Sequence, residues 1–87
     1  MEDKVKEKQM RFIKNSEELG RNLREARESK NLTQQKVADI LDVERSAISY
    51  YESGKTLPSI LQLIKLSKQL KIRLMFFLTV DRYKASS

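Results

Sequence analysis

Four side chains in this sequence suit recognition of base-pair edges: Arg45, Ser46, Ser49 and Tyr50, all within the run ERSAISYYES. An arginine fork can bond both acceptors of a guanine, worth about 1–3 kcal/mol of discrimination. The same fork can instead hold a phosphate. Serine is short and adaptable, reaching bases directly or through water. A tyrosine can touch a thymine methyl or a phosphate, or lie exposed at a packing edge. All of this is recognition rather than bond-making. The chain has no cysteine and no histidine, which removes disulfides, thiolate metal sites, histidine-based triads and any imidazole base. No catalytic residue, metal or cofactor is therefore expected.

The elements that would present these side chains are two short helices within Gln34–Gly54, QQKVADILDVERSAISYYESG. Val37, Ala38 and Leu41 share one face of the first, and Ile48 and Tyr51 one face of the second. Between them Leu41-Asp42-Val43-Glu44 contains no glycine and has room for little more than a single turn-forming residue. Asp42 tolerates a left-handed backbone best there, because its short polar side chain bonds locally. Ala38 is small enough for the second helix to cross closely. Two short helices held steeply by a tight turn make a helix-turn-helix unit, whose second helix can enter a DNA major groove.

A chain of 87 residues supports one domain with a modest core, and dimerisation would add useful burial. The charged N-terminus MEDKVKEKQMRF is not read as a signal peptide, and LMFFL (Leu74–Leu78), the longest apolar run, is far below the ~20 residues of a membrane span. A cytoplasmic location is expected. Net charge is +6 with a pI near 9.7, which favours a polyanionic partner. The excess lies in the flanks: between Lys30 and Lys55 four basic residues balance four acidic ones, whereas residues 56–87 carry six against one.

Along the chain, residues 1–15 read as a charged arm or marginal helix with a thin apolar stripe (Val5, Phe12, Ile13). A frayed solvated segment, a helix docked on a dimer partner and an arm along phosphate all fit it. Ser16 is expected to cap the first helix, with Glu17 and Glu18 favoured by its dipole and Leu19, Leu23 and Ala26 facing inward. Asn31 supplies a left-handed stop, Leu32 is buried, and Thr33 caps the second helix. Gly54 ends the third helix in the same way, and Pro58 prevents its continuation. Ser59 starts a fourth helix with Leu63, Leu66 and Leu70 inward. Ile72, Leu74, Phe77 and Leu78 are expected in a fifth. A strand over Lys71–Val80 is set aside because no other segment offers it a partner. Ile60, Leu61, Ile64, Met75, Phe76 and Val80 are surplus to so small a core, so a protein partner is expected to meet some of them, namely Ile60, Ile64, Met75 and Phe76. The tail 81–87 reads as flexible, leaving 16–80 as the helix-turn-helix domain.

With five helices placed, the sequence resembles the lambda repressor-like Cro/XRE family of helix-turn-helix DNA-binding proteins over Leu19 to about Leu78, some two thirds of the chain. Leu19-Gly20, Arg27, Leu32-Thr33-Gln34-Gln35, Val37-Ala38, Ile48-Ser49, Glu52-Ser53-Gly54 and Pro58-Ser59 carry the resemblance, in order and at family spacing. It implies a compact all-α, five-helix fold in which Arg27 and Glu52 form a buried ion pair tying the first helix to the third. Such a pair suits a bidentate fork and contributes orientation more than net stability. The resemblance also implies that the leading end of the third helix faces the groove floor. Arg45, Ser46, Ser49 and Tyr50 then become base readers, while Ala47, Ile48 and Tyr51 pack inward. Thr33, Gln34 and Lys36 at the start of the second helix, with Lys55 and Thr56 after the third, are expected on phosphates. Arg21, Lys65 and Lys68 fit a solvated face better. Two positions depart from the family pattern: Asp42 replaces the frequent turn glycine, and Glu44 stands where serine or threonine often caps the third helix. Glu44 suits the dipole but repels phosphate.

The expected function is a regulator, a repressor acting as a homodimer on inverted half-sites of double-stranded DNA about 34 Å apart. Two rivals share the fold. An antitoxin would use the surplus apolar residues to cover a toxin. An adaptor would have no DNA site of its own, as the neutral 30–55 segment suits.

Overall fold

The computed structural model describes residues 11–80, so most of the expected arm and the whole tail 81–87 lie outside the described residues. A two-residue strand β1 (Arg11–Phe12) precedes five helices: α1 (Ser16–Ser29), α2 (Gln34–Leu41), α3 (Arg45–Ser53), α4 (Ile60–Leu70) and α5 (Leu74–Leu78). A second two-residue strand, β2 (Thr79–Val80), follows α5. The fold is thus the expected all-α arrangement of five helices with a minimal ladder added.

The helix starts follow from side-chain caps. Thr33 Oγ1 accepts from the Lys36 N–H (3.1 Å) at the head of α2. Ser59 and Gln62 form a reciprocal capping box before α4 (3.1 and 2.8 Å). At α1 the expectation is corrected. Asn15, extended at φ −155°, is the cap, and its Oδ1 accepts from the Glu18 N–H at 2.9 Å. Ser16 already belongs to the helix and sends its hydroxyl to the Gly54 carbonyl (2.8 Å). The asparagine side chain reaches the third helical amide, which leaves the serine free to tie α1 to the end of α3.

The first four helices each end in a left-handed residue: Asn31 (φ 59°), Asp42 (φ 61°), Gly54 (φ 83°) and Lys71 (φ 57°). The following N–H then returns to a carbonyl in the last turn, as Val43 does to Ala38 (3.0 Å) and Lys55 to Tyr50 (2.9 Å). The first three ends are those expected from the sequence. Lys71 is not, because lysine carries no special tolerance for this conformation.

Leu19, Leu23, Ala26, Val37, Ala38, Leu41, Ile48, Leu63, Leu66, Leu70 and Phe77 form the core. Ala38 is completely enclosed, and α2 and α3 cross over it. On the other side of α3, a Cβ built on Gly20 would lie 2.5 Å from the carbonyl oxygens of both Tyr51 and Glu52, so α1 and α3 touch backbone to backbone.

The C-terminal stretch differs from the sequence reading. Helix α5 starts at Leu74, because Lys71 and Ile72 are consumed in ending α4, with Ile72 N–H bonded to Ser67 O at 3.0 Å. Thr79–Val80 are a strand, paired antiparallel with Arg11–Phe12. The missing partner lay in the segment read as arm or helix. Asn22 secures the arrangement by donating to the carbonyls of Phe77 (2.9 Å) and Thr79 (3.0 Å). Phe76, expected on a partner surface, is half-buried, and its ring meets Phe77 edge-on (5.8 Å, 81°). Ile60 and Met75 are exposed, as are Leu57 and Leu61.

Gly20→Ala forces a methyl against rigid backbone and is expected to destabilise the fold by about 1–3 kcal/mol. Urea unfolding checks this, and an unchanged midpoint would show that α1 and α3 do not meet so closely.

Candidate nucleic-acid interface

The leading end of α3 follows the tight turn 42–44 and lies at the surface. Arg45 and Ser46 are exposed, Ser49 is half-buried and the Tyr50 ring is 45% exposed. The opposite side faces inward. Ile48 is buried, Ala47 and Tyr51 are half-buried, and the Tyr51 hydroxyl donates to Gln62 Oε1 at 3.2 Å. Glu44 occupies the cap position without a side-chain capping bond. The first amides of α3 are therefore not covered by a side chain, and the helix dipole there favours an anion.

Behind this end lies the ion pair. Arg27 donates from Nε to Glu52 Oε2 (2.6 Å) and from a terminal nitrogen to Glu52 Oε1 (3.1 Å), with the two side chains only 14% and 6% exposed. Its other terminal nitrogen donates to the Leu32 carbonyl in the α1–α2 connection (2.9 Å). The bond to Glu52 raises the Arg27 pKa above its ordinary value against the opposing effect of burial, so the guanidinium stays cationic. Gln34 extends the network: its Nε2 donates to Glu52 Oε1 (3.0 Å), and its Oε1 accepts from Arg45 at 3.3 Å. A continuous chain of polar contacts thus runs from α1 through Glu52 and Gln34 to the exposed Arg45.

The side chains expected on phosphates are arranged unequally. Lys36 and Thr56 are exposed on either side of α3 in the sequence. The Thr33 hydroxyl oxygen is engaged in capping α2 but keeps its proton to donate. Gln34 is half-buried, with both ends of its amide used internally. Lys55 lies over the Tyr50 ring, 5.1 Å from its centroid. Arg21, Lys65 and Lys68 are exposed. Two links were not read from the sequence. Spacing gives no hint that Gln34 faces Glu52, since that contact exists only once α2 and α3 cross. The Lys55–Tyr50 contact was discoverable through Gly54, whose left-handed turn folds the chain back over α3.

Among the described residues no cluster of acidic side chains could hold a metal ion, and no helix is long and apolar enough to cross a membrane.

Glu52→Gln leaves Arg27 buried without its counter-charge and is expected to cost about 3 kcal/mol of stability. Chemical denaturation measures the loss, and a cost below about 1 kcal/mol would mean that the pair behaves as a solvated one.

Residues 23–77 match the helix-turn-helix family HTH_3. Among solved structures, the restriction-modification controller protein C.AhdI from Aeromonas hydrophila is 30% identical over 70% of this chain and 92% of its own, with a TM-score of 0.64. The clp gene regulator ClgR from C. glutamicum is 26% identical over 71% of this chain and 80% of its own, with a TM-score of 0.65. A hypothetical transcription factor from Neisseria, at 18% identity, shares the fold with a TM-score of 0.69 over 84% of this chain and 83% of its own. The search of curated proteins gives no match.

Proposed function

The chain belongs to the HTH_3 family of helix-turn-helix DNA-binding transcription regulators, and from that premise we propose that it is a repressor acting as a homodimer on inverted half-sites. The observation that carries this reading is Arg45, exposed at the head of α3 and tethered through Gln34 to the Arg27–Glu52 pair. A tethered arginine meets guanine with less ordering left to do on binding, which favours discrimination over mere attraction.

In this account Arg45 reads a guanine, and Ser46, Ser49 and Tyr50 contact the neighbouring bases. Thr33, Lys36 and Thr56 hold phosphates on both sides, which sets register and salt dependence but carries little sequence information. Gln34 serves Arg45 more than phosphate. Glu44 opposes the phosphates and keeps non-specific affinity low. The chain needs no catalytic group for this, and a cytoplasmic location is part of the same proposal. The relative of which this chain covers 92% is itself described as a controller protein, which agrees with a regulator of this size.

The homodimer rests on apolar side chains left in solvent, Leu57 (62% exposed), Ile60, Leu61 (73%) and Met75. So much exposed apolar surface on a small domain favours a covering partner, and a second copy supplies the symmetry that inverted half-sites require. The same residues, with Ile64, would suit a toxin bound by an antitoxin.

Selection of bound duplexes from a random pool at physiological salt tests the proposal. It is expected to return two inverted half-sites about one helical turn apart. Arg45→Ala should lower affinity for the selected site about tenfold and relax one base pair per half-site, whereas Lys36→Ala should weaken every duplex alike. A lone half-site would favour the antitoxin reading, and no enriched sequence would favour the adaptor. Uniform effects from both substitutions would remove Arg45 as a base reader.

A further inference from the structure

The Lys55 side chain is placed where a phosphate-seeking lysine need not be. Gly54, left-handed at φ 83°, turns the chain back across the end of α3. The N–H groups of Lys55 and Thr56 then converge on the Tyr50 carbonyl, at 2.9 and 3.4 Å. These bonds anchor the Lys55 backbone above the very residue whose ring its ammonium covers, 5.1 Å from the centroid. The Tyr50 ring is 45% exposed, so without this cover it would sample several rotamers at the edge of the interface. A cation over an aromatic face at an exposed site favours the stacked arrangement by about two- to fivefold. One ring face is thereby covered while Tyr50 keeps 45% exposure, which leaves ring edge for contact on the same helix as Arg45 and Ser49. That edge is apolar, and in the major groove the apolar feature available to it is the 5-methyl group of thymine.

We propose that Lys55 is a positioning residue, holding the Tyr50 ring so that its edge reads a thymine methyl, rather than a simple phosphate contact. The inference rests on the reading of α3 as the base-reading helix and assigns its second specificity contact. It separates the two residues that follow α3: Thr56 contributes to affinity, and Lys55 contributes to discrimination through Tyr50.

The test uses the full chain and the duplex it selects, with each thymine replaced in turn by deoxyuridine, which removes only the methyl. The intact protein should lose about two- to fivefold at one thymine per half-site, and Tyr50→Ala should be indifferent to that replacement. Lys55→Met, which keeps the stem and removes the charge, should shrink the thymine-to-uracil ratio toward that of Tyr50→Ala. Lys55→Arg should restore the ratio, because a guanidinium also stacks on a ring. In the free protein, the Lys55 ε-methylene protons should resonate upfield under the ring current and relax to ordinary positions in Tyr50→Ala. A thymine-to-uracil ratio unchanged in Lys55→Met, with affinity for both duplexes reduced alike, would make Lys55 a phosphate contact and overturn the proposal. An absent upfield shift would overturn it as well. If the intact protein discriminates bases yet ignores every methyl, only the Tyr50 assignment fails. If it enriches no sequence at all, the reading of α3 fails and this assignment with it.

Discussion

Three helices of this protein meet at one carboxylate. Glu52 near the end of α3 accepts two bonds from Arg27 of α1 and one from Gln34 of α2, while Arg27 also holds the Leu32 carbonyl between those helices. Burying two charges this deeply costs much of what their attraction returns, so the pair adds little net stability compared with well-packed apolar side chains. Its value is directional. The guanidinium fork fixes distance and plane together, and Gln34 fills a second lone-pair direction of Glu52 Oε1. The orientation of α3 relative to α1 and α2 therefore depends on a few short, partly buried polar contacts.

The surrounding backbone leaves this joint few alternatives. Gly20 lets α1 lie directly against the α3 backbone, and the fully enclosed Ala38 lets α2 cross on the other side. Left-handed ends at Asn31, Asp42 and Gly54 keep the connections short and return backbone N–H groups to carbonyls of each last turn, with the Ser29 and Ser53 hydroxyls adding bonds to Ala26 O and Tyr50 O. Such a frame can present a polar probe while its own apolar residues stay packed. The small ladder between Arg11–Phe12 and Thr79–Val80, stitched by Asn22, closes the far side and stands apart from the probe.

The features legible in the sequence were those with local causes. Helix faces follow from periodicity, as with Leu63, Leu66 and Leu70, and three of four helix ends announced themselves through asparagine, aspartate and glycine. The Arg27–Glu52 pair came through family resemblance, because no spacing rule links residues 25 positions apart. What escaped had non-local or permissive causes. Lys71 is left-handed where α4 ends and Ile72 N–H returns to Ser67 O, although lysine has no preference for that conformation. The β2 strand could not be read without its partner, and that partner lay at the opposite end of the chain. The bonds of the Gln34 side chain to Glu52 and Arg45 were not legible either, since they exist only once α2 and α3 cross. At the candidate site the exposure of Arg45, Ser46 and Tyr50 followed the amphipathic pattern of α3, whereas the bonds that hold them did not.

The orientation of α3 can be separated from the stability of the fold. Arg27→Met combined with Glu52→Met removes the charged joint while preserving volume, and the doubly substituted chain should remain folded. The decisive measurement is its ratio of affinities for the selected duplex and a scrambled one, at fixed salt. The account predicts near-normal binding to scrambled DNA and a fall in the ratio of about tenfold, the worth of one bidentate base contact. A folded double variant that keeps the full ratio would contradict it, since the probe would then be aimed by something other than this pair.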